Sequence, residues 1–471
     1  MKIRFTILFA ILTPLLLSAQ HNIGTTYCEH NDLNASRYQP SELDFGDKKF
    51  QIGFNYDFFI GNRSIDYAEL NAAFNDDQLT QEDIQTIVNE SDEINQIGLG
   101  QNYQVIGLGY QLRTRSGKKY DIAFTIVDKF SATLQLSRNF LKLALEGNNS
   151  SFFRGQRVSM GETKLSALYT RAYAFNIAMP VFFKDNDHKV RIGIRPKFIQ
   201  GMAGVNPESS EVFLTTEQNG EFIQMDFNYN YQTSGIQNFD PFKANGVGWG
   251  LDFGVTGFIS EHFEVAASVL NLGSVTFNNN VKTYSKEGSH RFEGIFIPNL
   301  LGASPANLDF EEESSIYNPV VTEDESFSMG LGARIGLELQ YKTPEKPRTR
   351  RAMTMARSIK KGKERQAKQK EYEGNISNTI YFTYIQGLDE QPGNTTRPFV
   401  SVGYMHDFHD YFDIGVSAAY GGFNNLALGA FFAVNIAHHV KFGLSSDNIS
   451  ALIVPKTATG FDIATNFSVS F

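Results

Sequence analysis

The last twelve residues, Gly460–Phe471, read GFDIATNFSVSF. In steps of two, Ile463, Thr465, Phe467, Val469 and Phe471 fall on one side, and Asp462, Ala464, Asn466, Ser468 and Ser470 on the other. A period of two belongs to a β-strand, whose successive side chains point to opposite faces. Termini of soluble domains are usually polar and frayed. A strand that keeps its alternation up to a final aromatic suits a wall with lipid on one side and water on the other.

The pattern recurs upstream. FQIGFNYDF (50–58) sets Phe50, Ile52, Phe54, Tyr56 and Phe58 against Gln51, Gly53, Asn55 and Asp57. SFSMGLGARIGLELQY (326–341) reads as one long strand, with Phe327, Met329, Leu331, Ala333, Ile335, Leu337, Leu339 and Tyr341 on a single face. Soluble sandwiches alternate too, but their strands usually run to about 5–6 residues. These runs reach the ~9–11 residues that a tilted strand needs to cross a bilayer. Hydrocarbon offers no partner to backbone N–H and C=O groups, so such strands must close into a barrel. Small residues on the polar face suit a water-filled lumen.

Strands are predicted near 50–59, 100–113, 119–127, 163–179, 189–203, 247–259, 262–277, 326–341, 376–386, 397–407, 411–421, 425–436, 439–448 and 459–471. The fold class is therefore all-β, a transmembrane antiparallel barrel of about fourteen strands, an even number as in single-chain bacterial barrels. With both ends periplasmic, RTRSGKK (113–119), FKDNDHK (183–189), ISEHF (259–263), DFHDY (407–411) and IAHH (436–439) become short periplasmic turns. The long links 61–98, 128–162, 204–246, 278–325 and 449–458 then face outside, the usual asymmetry of such barrels. In these loops, LTQEDIQTIVNES (79–91) predicts a short helix capped by Thr80 with Asp83 reaching back. ATLQLSRNFLKLALEG (132–147) predicts a second helix, closed by Gly147, and 211–231 an extra hairpin around EQNG.

The start of the chain sets the compartment. MKIRFTILFAILTPLLLSAQ (1–20) has Lys2 and Arg4, an apolar run from Phe5 to Leu17, and then Ser18-Ala19-Gln20. This is the layout of a Sec signal peptide, assigned to 1–19, and the run is too short to span a membrane. The expected location is the outer membrane of a Gram-negative bacterium. Residues 20–48 form either a periplasmic tail or a plug within the barrel of 49–471. Cys28 is the sole cysteine, so an internal disulfide is excluded, and GTTY before it does not make a lipoprotein anchor.

The net charge of −9 argues against nucleic acid as a partner. Residues 343–374 run the other way, with 11 Lys or Arg against 4 acidic residues, while the rest of the chain carries 31 basic and 47 acidic. By strand parity this basic insert is periplasmic. It reads as a solvated linker, or as a contact for anionic headgroups, a cell-wall polymer or an acidic periplasmic or outer-membrane protein.

No catalytic motif is present: G-x-S-x-G, H-E-x-x-H and G-x-x-x-x-G-K-[ST] are all missing. His406, Asp407, His409 and Asp410, and His438 with His439, sit in turns and lack the spacing of structural zinc sites. Neither an enzyme nor a cofactor is expected. KVRIGIRPKFI (189–199) is the most informative polar stretch, because Arg191, Arg195 and Lys197 all point inward when Ile192, Ile194 and Phe198 face lipid. Asp252, Arg334 and Glu338 also point in. The basic patch either pairs with such carboxylates or with a plug, or it orients an anionic headgroup such as a carboxylate.

NDLNASRYQP (31–40), the strand set, GWGLDFGVTGFISEHFEVAASVLNLGSVTF (248–277) and Phe471 together resemble the FadL/PorV-like outer-membrane barrels. Within them the chain looks closest to a group of secreted barrels whose domain has no assigned function. Leu33-Asn34-Ala35 stands where that group commonly has Leu-Asn-Pro-Ala. The resemblance implies a fourteen-stranded barrel with an N-terminal plug and passive movement of hydrophobic or amphipathic small molecules. Equally, it implies a PorV-like role as a non-enzymatic component of a secretion or assembly complex. It also implies that Phe467, Val469 and Phe471 form a signal for the barrel assembly machinery, the partner expected alongside outer-membrane lipid.

Overall fold

The computed structural model describes residues 32–62, 81–115, 119–148, 150–182, 189–237, 239–260, 262–292, 319–323, 326–343, 376–408, 411–436, 439–453 and 459–471. The signal segment, Thr80, residues 344–374 of the basic insert, His409, Asp410 and His438 lie outside them.

The strands are β1 (Phe50–Asn62), β2 (Ile94–Arg113), β3 (Lys119–Ser137), β4 (Arg157–Glu162), β5 (Lys164–Phe182), β6 (Lys189–Thr216) and β7 (Ile223–Ser234). They continue as β8 (Gly246–Phe258), β9 (Phe263–Phe277), β10 (Val281–Phe292), β11 (Val320–Glu323), β12 (Phe327–Gly330) and β13 (Arg334–Lys342). The last are β14 (Ile376–Gly387), β15 (Phe399–Phe408), β16 (Phe412–Gly421), β17 (Asn424–Ile436), β18 (Val440–Ser446) and β19 (Gly460–Ser470). The wall runs β1, β2, β3, β5, β6, β8, β9, then β12 and β13 as one interrupted strand, then β14 to β19, giving fourteen antiparallel strands. It closes where β19 returns to β1, with Ser470 opposite Gln51 and Gly460 opposite Gly61.

The polarity of the wall is inside out. Phe54, Phe124, Ile194, Phe253, Val416, Phe432 and Phe467 are exposed on the outside, whereas Asn55, Gln104, Thr125, Arg195, Asp252 and Asn466 are buried within. A belt of exposed Phe, Ile and Val around buried polar groups is stable only with hydrocarbon outside. The protein is a transmembrane β-barrel.

Two sequence expectations need correction. β3 does not stop near 127; it continues to Ser137, pairing with β2 and β5 along its length. The second helix therefore covers only Arg138–Glu146. Ser137 sets the boundary: it is the last extended residue (φ −69°, ψ 152°), and its hydroxyl accepts the Phe140 N–H at 3.1 Å, capping the helix that follows. Gly147 closes the helix in a left-handed conformation, as its position suggested.

The second correction concerns 326–341, which is not one face. Phe327, Met329 and Leu331 point inward and pack with Val275, Phe277, Leu168 and Ile199, whereas Leu337, Leu339 and Tyr341 face out. The side chains change sides across Leu331-Gly332-Ala333, where Gly332 has φ +74°. The partner strand β9 changes sides opposite, through Asn271 (φ 59°) and Gly273 (φ 142°). Left-handed backbone costs little at glycine, so Gly273 and Gly332 allow the inversion.

At the end carrying the long links, β6 runs on beyond the wall. There it pairs with β4 and β7, and β7 pairs with β10, which pairs with β11. The hairpin expected around EQNG is the β6–β7 turn. Helix α1 (Gln81–Glu90) packs its buried Ile87 against Leu141 of α2 (Arg138–Glu146).

Candidate ligand cavity above a fastened plug

Residues 32–45 lie inside the barrel, and most are buried. They form two short 3-10 turns, Ala35–Arg37 and Pro40–Glu42, with Pro40 presetting the second. A segment this short satisfies only part of its own backbone, and hydrogen bonds run both ways between plug and wall. Gln39 Nε2 donates to the carbonyls of Val255 and Ala267, each at 3.1 Å, and Asn176 donates to the Pro40 carbonyl at 3.3 Å. The hydroxyls of Ser41 and Thr256 meet at 2.7 Å. Gln104 Nε2 reaches Asn34 Oδ1 at 2.9 Å, and the Tyr38 hydroxyl donates to Asp57.

The small inward residues read as lining a wet lumen have a different role. A Cβ on Gly193 would lie 2.2 Å from Pro40 backbone atoms, and one on Gly109 would meet the Phe45 ring at the same distance. These glycines seat the plug. Across the barrel Tyr381, Phe399 and Phe431 fill the lumen beside β14 to β17.

On the long-link side of the plug lies a cavity of about 80 Å³. Its polar lining is Arg37 and Tyr38 of the plug with Asn102, Lys129, Thr170, Arg195, Lys197, Asn271 and Arg334 of the wall. Val127, Leu168, Ala172, Ile199 and Leu331 make the apolar remainder. Asn271, Leu331 and Arg334 belong to the inversion of β9 and β12–β13, so the cavity reaches the wall where its ladder is interrupted. That interruption is bridged by Leu331 N–H to the Gly273 carbonyl (3.2 Å) and by Asn394 Nδ2 to the Ala333 carbonyl (3.1 Å).

The predicted basic residues all point inward but divide into two places. Arg191 lies on the short-turn side and fastens the plug, donating to the Ser41 carbonyl (3.1 Å), the Leu43 carbonyl, Asp44 and Asp121 (2.9 Å). Arg195 and Lys197 reach the cavity. Arg195 donates to the Arg37 carbonyl (3.3 Å) and Thr125 (2.9 Å) and lies 3.6 Å from Asp252. Lys197 holds Asp252 at 2.6 Å and Asn271 at 2.7 Å. Lys129 and Arg37 were missed as cavity residues. Lys129 shares parity with Ala123, Thr125 and Val127, so extending that strand by two residues would have revealed it.

Phe467 and Phe471 stand at the outer seam, their rings 6.4 Å from Phe54 and 6.3 Å from Phe50, with Val469 opposite Ile52. His406 Nδ1 lies 2.6 Å from Asn378, and His439 Nδ1 lies 2.9 Å from the Ser470 carbonyl. Among the described residues no three His, Cys, Asp or Glu side chains are grouped to hold a metal ion.

A family model described as "Family of unknown function (DUF5723)" matches residues 44–447. The chain belongs to this family. Among solved structures, this DUF5723 member is similar to the Pseudomonas putida toluene transporter TodX, at 8% identity and a TM-score of 0.39 over 95% of this chain and 96% of that one. It is also similar to the CymD monoaromatic hydrocarbon channel, at 10% identity and a TM-score of 0.40 over 97% of this chain and 95% of that one. No curated protein matches it.

Proposed function

We propose that the protein is a FadL-like outer-membrane channel, exported through its 1–19 signal, that passes hydrophobic or amphipathic small molecules. The supporting observation is the cavity itself, with an apolar wall and a polar floor, meeting the barrel wall at the inverted strands. A molecule with a short apolar body can rest against Leu168, Ile199 and Leu331 while its polar end faces Lys197 and Arg334. In this reading Phe467, Val469 and Phe471 serve as the assembly signal. The test is uptake into proteoliposomes of short-chain alcohols and carboxylates. Leu331→Trp, which fills the cavity, is expected to lower uptake several-fold while the barrel keeps its heat-dependent gel mobility. Uptake that is absent in the parent, or unchanged in Leu331→Trp, overturns the channel.

A second reading, a PorV-like scaffold in a secretion or assembly complex, draws on the fastened plug and the apolar filling beside β14 to β17. It predicts a protein that co-purifies in mild detergent and is lost when 343–374 are deleted.

A further inference from the structure

The cavity is overloaded with positive charge. Arg37, Lys129, Arg195, Lys197 and Arg334 all line it. Asp57 lies 3.5 Å from Arg37, and Asp252 is shared between Arg195 and Lys197. Among the described residues, the side chains of Lys129 and Arg334 make no ion pair or hydrogen bond, and Arg334 Nε is enclosed without an acceptor. The two cations repel each other; Asp252 and, from the loop after β14, Asp389 act on Lys129 through space only. Desolvating a guanidinium nitrogen without an acceptor is costly, and two like charges facing one small cavity add to that cost. An anion bearing two charges removes both penalties together.

We infer that the cavity is a binding site for an organic dianion, a phosphate monoester with a short apolar group being the simplest case. Lys129 and Arg334 clamp the oxyanion, and Leu168, Ile199 and Leu331 receive the apolar group. Arg334 supplies a planar fork suited to two phosphate oxygens, and Lys129 a point charge. The cavity of about 80 Å³ suits a headgroup with a few carbons, since a larger apolar body would need the space of the interrupted wall. The inference rests on the channel reading for the route in, but the binding can be measured without transport.

The experiment uses the full mature chain in nanodiscs and calorimetric titration at about pH 7, above the second phosphate pKa of ~6. Monobutyl phosphate, inorganic phosphate, pentanoate and 1-butanol are titrated separately. Monobutyl phosphate is expected to bind tightest, with affinity falling as salt rises. Lys129→Gln and Arg334→Gln are each expected to weaken it about tenfold or more. Heat-dependent gel mobility shows that the variants still form barrels. Equal binding of pentanoate overturns the dianion, and equal binding of inorganic phosphate overturns the apolar contact. Unchanged affinity in both variants, or no binding of monobutyl phosphate to the parent, overturns the site. In any of these cases, 1-butanol uptake sensitive to Leu331→Trp leaves the channel reading standing.

Discussion

Gly193 on β6 is where the wall meets the backbone of the plug. A Cβ there would lie 2.2 Å from the carbonyl carbon and oxygen of Pro40 and 2.4 Å from the Ser41 nitrogen. All three are backbone atoms, more than an ångström inside ordinary contact, so no side-chain rotation relieves Gly193→Ala. The plug itself must move, straining the bonds from Gln39 to Val255 and Ala267 and from Asn176 to Pro40. Overpacking of this kind costs about 1–3 kcal/mol. Because every 1.4 kcal/mol is about tenfold in an equilibrium, the unseated plug should become roughly 5- to 150-fold more populated. Gly257→Ala on β8 is the control, since its Cβ meets only the Val265 carbonyl oxygen, at 3.9 Å. The readout is the labelling rate of Ser41→Cys by a membrane-impermeant thiol reagent, in a Cys28→Ser background. Ser41 is fully buried, so the parent should label slowly. Gly193→Ala should raise the rate by the factor above and Gly257→Ala should leave it alone. A parental rate and an unchanged unfolding temperature in Gly193→Ala would refute the claim that this glycine seats the plug.

Trp249, the only tryptophan, stands on the outer face of β8 and is 64% exposed. Its fluorescence should be quenched strongly by brominated lipids and weakly by aqueous iodide; the reverse would place that face in water. In the sheet beyond the wall, Gln224, Ser289 and Arg157 hold the Asp226 carboxyl below its usual range. A depressed carboxylate contributes stability above its unfolded pKa and loses it as pH falls through the folded value. Protection of the β7 and β10 amides, the intrinsic exchange rate over the observed one, should therefore fall on acidification from about pH 5 to about pH 2.5 more in the parent than in Asp226→Asn. An equal fall in both would show that the Asp226 contacts are inconsequential.

The barrel was legible because lipid and lumen impose opposite polarity on neighbouring residues, and alternation such as Phe54-Asn55-Tyr56-Asp57 records this residue by residue. The two misreadings came where alternation does not decide alone. In 129–136 it continues, Phe130, Ala132, Leu134 and Leu136 against Lys129, Ser131, Thr133 and Gln135, but the leucine-rich run 134–145 also reads as a helix, which hid the second half of β3 and with it the position of Lys129. In 326–341 alternation is unbroken in the sequence, yet the faces exchange. A left-handed glycine reverses the side chains without leaving a trace in the hydrophobic pattern.

For the basic residues the sequence told direction but not company. Parity alone turned Arg191, Arg195 and Lys197 inward, because a β-strand has only two faces. It could not tell that Arg191 would be occupied by the carbonyls of Ser41 and Leu43 while Lys197 reached a cavity. Nor could it bring Arg37, Lys129 and Arg334 to that cavity from segments far apart in the chain. The sequence by itself determined a lipid-facing wall and the side on which each charge lies, because those are local consequences of period two. Only the tertiary structure decided that the lumen is filled by the chain's own N-terminal segment and where charge is left uncompensated. Those outcomes depend on which distant backbone atoms fit against a glycine, and no local pattern encodes such a distance.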